Sequence, residues 1–439
     1  MKLGILFFLS ALLLIPFDVF AQNINREIRQ ASREVNRYNL EPMENKENLL
    51  QAKEIIDGLI ELPEARDNFS IWQTRADVYN ASIAAEMTLI QLEQIREYSS
   101  PEDAMIAFEA IKKAVPLADS RGEERDLLRS LNETVVNLGN VANQYIDREE
   151  YDKAFGPLEG IYRIHHILLD LGEDAVFDSE ADENSHLFIT AICGMQAGKV
   201  EKAKEYMMML YEREYEEARV YVTLFNLYLD KDEERALEFL EAGKEVAPDD
   251  IDLLYAEINY YISKNDFRML QEKLAIAVEK DPENTALYNV LGNVFMNLMT
   301  EALEEDEDEE VVDQYFKTAL KYLETATELD PDYYEPYYTI GSIYFNQAAI
   351  ITQRINELGM TREDQKLYEE YTAEANALFD KALPYFKKAE SMEPNDINTL
   401  IALRETFARL QDFELYNEFN ERIEKIDAGE KIRESYFNE

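Results

Sequence analysis

The chain has 439 residues, 91 acidic and 44 basic, for a formal net charge of −47. Nucleic acid and anionic lipid carry the same sign and are excluded as partners; solubility accounts for the charge, and a basic partner is the sharper reading. The single cysteine, Cys193, excludes an internal disulfide, so packing must hold the fold even in an oxidising compartment.

Met1 and Lys2 open onto an apolar stretch from Leu3 to Ile15, closed by Pro16 and Asp18, and Val19-Phe20-Ala21 offers a small-residue cleavage site before Gln22. This is the layout of a secretory signal peptide over 1–21, short of the roughly twenty apolar residues that cross a bilayer. No cysteine follows the run, so the sequence predicts an exported, periplasmic or secreted chain with no lipid anchor and no membrane insertion. From 22 to 68 the helical spacing of Ile55, Ile56 and Leu59 predicts capping helices.

From 69 to 431, apolar residues recur every three or four positions with few glycines and prolines, which predicts helix throughout. Pro248 and Pro282 lie 34 residues apart, Pro282 and Pro331 lie 49 apart, and Pro331 and Pro394 lie 63 apart. On a base unit of 34, Leu291, Gly292 and Phe295 are followed by Ala319, Leu323, Ala326 and Pro331. Tyr337, Ile340, Gly341 and Tyr344 are followed in the same way by Ala382, Phe386, Ala389 and Pro394. Looser copies run through Trp72, Ala76 and Tyr79 with Ala104 and Phe108; Leu138 and Ala142 with Ala154; Leu187 and Ala191 with Ala203; Leu224 with Ala236; Leu254 with Ala277; and Leu400 with Phe413. Small residues let two helices approach, and aromatics fill the space between neighbouring pairs.

This pattern resembles the tetratricopeptide repeat, about eight copies over 69–431. The resemblance implies an all-α, right-handed superhelical solenoid of antiparallel helix pairs, closed by a frayed tail over 432–439. It also implies that first helices line a concave groove through their fifth and ninth positions, among others. The fifth positions are Gln73, Gly139, Phe188, Tyr221, Tyr255, Asn289, Tyr338 and Ile401; the ninth include Asp77, Asn143, Phe225, Asn259, Asn293 and Ser342. None of these is basic, which argues against a clamp for a terminal carboxylate. Tyr221, Phe225, Tyr255, Asn259, Asn289, Asn293, Tyr338 and Ser342 are therefore the expected contacts for a protein or peptide partner. Export signal, composition and repeat form together resemble exported proteins of Bacteroidetes-type bacteria.

Three repeats exceed the base length, near 72–116, 288–331 and 337–394, and are read as hairpins with lengthened helices. In the first, Ser100-Pro101-Glu102-Asp103 reads as N-cap, first-turn proline and capping acid; in the third, Gly359 ends one helix and Thr361 caps the next with Asp364. The run from Glu301 to Glu310, eight acids in ten residues, reads as a solvated turn, with cation binding or docking of a basic segment as the alternative.

Catalysis, metal and cofactor have little to stand on. His165, His166 and His186 with Cys193 show no zinc spacing, and Cys193 lies in an apolar run that predicts burial over reactivity. Asp230, Asp232, Glu234 and Glu241 echo a calcium loop, but Arg235 stands where the turn needs glycine. A non-enzymatic scaffold is the leading function and carries no implication for oligomeric state. The alternative is a sugar-binding protein of the starch-utilisation type, for which Trp72 is the only tryptophan.

Overall fold

The computed structural model describes residues 17–437, so most of the predicted leader lies outside the described residues. Among the described residues there are eighteen α-helices, no strand, and no helix long and apolar enough to cross a membrane. The chain forms two compact units, Met1–Leu237 and Glu238–Glu439.

In the first unit the helices pair in sequence: α1 (Phe17–Leu40) with α2 (Lys46–Ile60), α3 (Phe69–Gln91) with α4 (Asp103–Ala114), α5 (Arg121–Asp147) with α6 (Tyr151–Asp170), and α7 (Glu180–Gln196) with α8 (Val200–Glu212). A further helix, α9 (Ala218–Tyr228), packs on α8, and α10 (Glu233–Val246) spans the division between units. In the second unit α11 (Ile251–Lys264) pairs with α12 (Phe267–Lys280), α13 (Thr285–Glu304) with α14 (Glu309–Leu329), α15 (Tyr334–Asn356) with α16 (Arg362–Met392), and α17 (Ile397–Arg409) with α18 (Phe413–Asp427). In every pair but α3–α4, where the connection spans 92–102, a link of a few residues makes the two helices antiparallel. Within each unit a second helix packs on the next first helix, as α4 does on α5 and α16 on α17. Each unit is thus an all-α stack of antiparallel helix pairs of tetratricopeptide type, in which every pair covers its neighbour's apolar face.

Close approach within the later hairpins depends on glycine. A Cβ on Gly292 would lie 2.4 Å from Leu323, and one on Gly341 would lie 2.6 Å from the ring of Phe386. Even a methyl side chain there would have to displace the facing Leu323 or Phe386 side chain.

The turns that end many of these helices share one geometry. Glu93, Glu149, Glu214, Asn265, Asp306 and Gln411 hold the left-handed region with φ between 53° and 62°. In each case the next residue's N–H bonds back five positions, as Gln94 does to Leu89, Glu150 to Tyr145 and Asp412 to Phe407. These are Schellman caps, a motif that normally takes glycine.

Four local expectations are revised. Helix α3 is long, 23 residues, but α4 is only 12, so the first hairpin's extra length is shared between α3 and the connection 92–102 and not between both helices. Asp103 does not cap: its buried carboxylate pairs with Lys53 and accepts from Ser82 Oγ at 2.6 Å, because a tertiary ion pair outcompetes a local cap. Thr361 and Asp364 do form a reciprocal capping box, although α15 stops at Asn356, before Gly359. Of the tail predicted to fray, 432–437 are held in place. Ile432 pairs with Asn395, and Ser435, Tyr436 and Phe437 bind Glu390.

Candidate partner-binding site

Two of the expected contact residues cannot meet a partner. Tyr221 and Phe225 are each 1% exposed, and Tyr221 packs edge-on against Tyr211 of α8 with ring centres 6.0 Å apart. On the short helix α9 the aromatics at these positions go to the neighbouring pair, the packing role that aromatics have elsewhere in the repeat.

The remaining six lie in the second unit, and most have spent their polar atoms locally. Tyr255 Oη donates to Asp281 at 3.2 Å and accepts from Asn284 at 3.2 Å, which ties α11 to the end of α12. Asn293 Nδ2 donates to the Asn289 carbonyl at 2.9 Å and Ser342 Oγ to the Tyr338 carbonyl at 2.9 Å. Tyr338 stacks on Tyr334 at 6.3 Å. Asn289 is buried and its side chain donates to Tyr333 Oη at 3.3 Å, while its side-chain oxygen Oδ1 has no partner among the described residues; Asn259 is exposed. These residues stabilise helix faces and turns more than they converge on a common point.

Trp72 packs against the core of the first unit with its indole nitrogen buried, so its ring is not an open sugar platform. Cys193 is buried, and burial pushes its thiol up from the usual range. Asp232 spends its carboxylate on the Arg235 N–H at 3.1 Å at the head of α10. Among the described residues no group of three or more histidine, cysteine or carboxylate side chains converges in a way that could hold a metal.

A cleft does form, at first helices nearer the start of the chain. Helices α1, α3 and α5 enclose an open cavity of about 1170 Å³. Its lining on α3 includes Ala81, Ala84 and Ala85, whose small side chains leave room between the walls. Large apolar side chains that also line it stay exposed: Leu40 at 79%, Leu92 and Val136 at 61% each, and Met43 at 46%. Isolated exposed apolar residues are ordinary, but four around one cavity mark a place that a partner can cover.

Beside the cleft runs a polar seam between α3 and α5. Gln73 Nε2 donates to Ser130 Oγ at 2.5 Å, and Ser130 Oγ donates to Asp77 Oδ1 at 2.5 Å. One turn further, Asn80 Nδ2 donates to Thr134 Oγ1 at 2.9 Å, and Asn137 Nδ2 donates to Asn80 Oδ1 at 2.9 Å and to the Asn80 carbonyl at 3.1 Å. The residues at 73, 77 and 80 face those at 130, 134 and 137, so spacings of four and three put one interlocking stripe on each helix. Gln73 Oε1 remains buried without a partner among the described residues.

The cleft's charges are unbalanced, with Glu41, Glu44, Asp77 and Glu133 against Arg129. Burial above all pushes the Asp77 carboxyl up to about 6, although the Ser130 hydrogen bond and Arg129, 3.5 Å away, pull it back. Gln73 and Asp77 were legible as groove positions of the first repeat; Leu40 and Met43 were not, because the segment carrying them has no repeat signature.

No protein-family model matches the chain, and no curated protein does. Solved structures of helical-repeat proteins align loosely. YrrB, described as a tetratricopeptide-repeat protein with an unusual peptide-binding site, is 21% identical over 51% of this chain and 92% of its own, with a TM-score of 0.35. A tetratricopeptide-repeat protein from Bacteroides fragilis is 14% identical over 62% of this chain and 98% of its own, with a TM-score of 0.26. Human IFIT1, a dimer with m7Gppp-AAAA, is 14% identical over 81% of this chain and 95% of its own, with a TM-score of 0.27. At such identities and scores these likenesses carry no functional weight.

Proposed function

We propose that this chain is an exported, non-enzymatic scaffold that holds a basic, partly apolar protein segment in the α1–α3–α5 cleft. The observation that carries the reading is the cleft itself: about 1170 Å³, ringed by exposed Leu40, Met43, Leu92 and Val136, with carboxylates outnumbering its one guanidinium. Its volume exceeds the roughly 300–1,000 Å³ of small-molecule sites and suits several side chains of a peptide. Apolar rim contacts supply burial, while Asp77 selects for lysine or arginine through a charge-assisted bond. The acid excess of the chain steers such a segment toward the cleft. The apolar run from Leu3 to Ile15 and the Val19-Phe20-Ala21 site support export; the mature protein should begin at Gln22.

The test uses two labelled amphipathic helical peptides that differ only in carrying lysine or glutamate beside the same leucines, titrated by fluorescence anisotropy. The lysine peptide should bind at least about tenfold more tightly, and Asp77→Asn should remove roughly 1–3 kcal/mol of that binding. Binding should strengthen as pH rises through about 6, where Asp77 ionises. Equal binding of both peptides, or lysine-peptide binding untouched by Asp77→Asn and by Leu92→Ser with Val136→Ser, overturns the proposal.

A further inference from the structure

The segment after α18 is held in the manner of a bound peptide. Residues 430–437 have no regular secondary structure, and side chains of the second unit grip their backbone. The Asn395 carboxamide donates to the Ile432 carbonyl at 3.0 Å and accepts from the Ile432 N–H at 2.8 Å, pairing with one residue's peptide groups as a neighbouring strand would. Glu390, on α16 and 0% exposed, accepts from Ser435 Oγ at 2.5 Å, the Tyr436 N–H at 2.9 Å and the Phe437 N–H at 3.3 Å. Arg422, on α18, donates to Glu390 at 3.2 Å and to the Glu434 carbonyl at 3.2 Å. Phe437 stacks on Phe419 with ring centres 5.6 Å apart, and the Lys387 ammonium sits 5.0 Å over its ring.

We infer that the second unit carries a peptide-binding site, separate from the cleft, that its own residues 432–437 fill and that accepts the same segment from a second copy of the chain. Asn395 and Glu390 read backbone groups that any peptide supplies; the Ser435 hydroxyl and the Phe437 ring supply selectivity, giving a bent ligand with a hydroxyl residue two places before an aromatic. The argument for exchange lies in Glu390. With the segment in place Glu390 is fully buried and accepts from three of its donors; an empty site exchanges these bonds for water and exposes the Phe437 contact face, so occupancy is favoured by the matched donors and the buried ring. When the tethered segment swings away about Gly429, at φ +81°, the group with matching chemistry is the same segment of another chain. Tethering gives the cis segment an effective concentration on the order of millimolar, so the trans form gains ground when cis docking is weakened.

The test keeps the full chain and uses a labelled synthetic peptide of residues 430–437. Wild-type protein should bind it weakly; Phe437→Ser, which weakens only the tethered copy, should bind it at least about tenfold more tightly. Adding Asn395→Ala, an exposed substitution, should reverse most of that gain. A Phe437→Ser protein with wild-type circular dichroism and no saturable binding overturns the inference, as does binding that ignores Asn395→Ala. If Phe437→Ser does not fold, hydrogen exchange on wild-type protein decides: excess unlabelled peptide should speed exchange of the Tyr436 and Phe437 amides, and unchanged protection at millimolar peptide overturns the inference.

Discussion

The seam between α3 and α5 and the hairpins of the second unit solve helix packing in opposite ways. Along α3 and α5, first helices of neighbouring pairs meet through Gln73, Asp77 and Asn80 facing Ser130, Thr134 and Asn137, and a cavity lies beside them. In the later hairpins, Gly292 sits against Leu323 and Gly341 against Phe386, so two backbones close on one large side chain. A hydrogen-bonded seam fixes register by direction and leaves neighbouring space for a ligand; a glycine contact fixes it by volume and leaves none.

The largest expected effect breaks the polar side of that contrast. Asn80→Ala should cost about 3 kcal/mol in chemical denaturation, because Asn80 is 1% exposed and its loss strands buried groups of Thr134 and Asn137. Replacing all three by apolar residues of similar size should recover much of the loss; no recovery would mean that the seam is not acting through unmet hydrogen bonds.

Next comes the glycine side. Gly341→Ala should destabilise by about 1–2 kcal/mol, an overpacking cost against Phe386 partly offset by alanine's better helix propensity. Gly58→Ala on α2, where no atom lies within 4 Å of the new methyl, should stabilise by about 0.5–1 kcal/mol. Equal effects at the two sites would show that the close approach is not what glycine serves.

The smallest effect sharpens the comparison through pH. In the first unit His166 lies edge-on to His165 at 5.1 Å, and His165 and His186 flank Phe177, with ring centres 4.7 and 4.9 Å from it. Burial lowers the pKa of both, against the pull of nearby Glu183, which Arg213 partly offsets for His165, and of the Leu158 carbonyl on His186. The unfolded chain therefore takes up protons near pH 6.5 before the folded one does, so stability contributed by the neutral rings is lost as pH falls through and below that point. Asp77 acts with the opposite sign, since its raised pKa lets the folded state gain protons first below about 6. Melting temperatures from pH 7.5 to 5 should fall less for His165→Phe than for wild type and fall more for Asp77→Asn.

The helices and their pairing were legible because both depend on local periodicity: small residues at fixed offsets and prolines after second helices mark where one pair stops. The candidate site was legible only in part. Tyr221 and Phe225 stand at positions that face a ligand in the family pattern, yet position alone does not say whether a neighbouring helix already covers the ring. Asp103 reads as a cap within its own ten residues; its true partner, Lys53, is fifty residues away. Glu390 is one carboxylate among 91 acidic residues until the fold folds the chain's later residues back over it.

The Schellman turns have a consequence for how firmly each pair is held. Four of the six non-glycine residues in those left-handed positions are Glu93, Glu149, Glu214 and Asp306, acids placed where a helix presents its negative end. Both the backbone strain and the unfavourable dipole are local, so each turn lowers stability independently of the others. Glycine at any one of them would relax both terms at once. Stability is therefore adjustable turn by turn, and the Glu93 turn, between Leu92 and Gln94, borders the cleft itself.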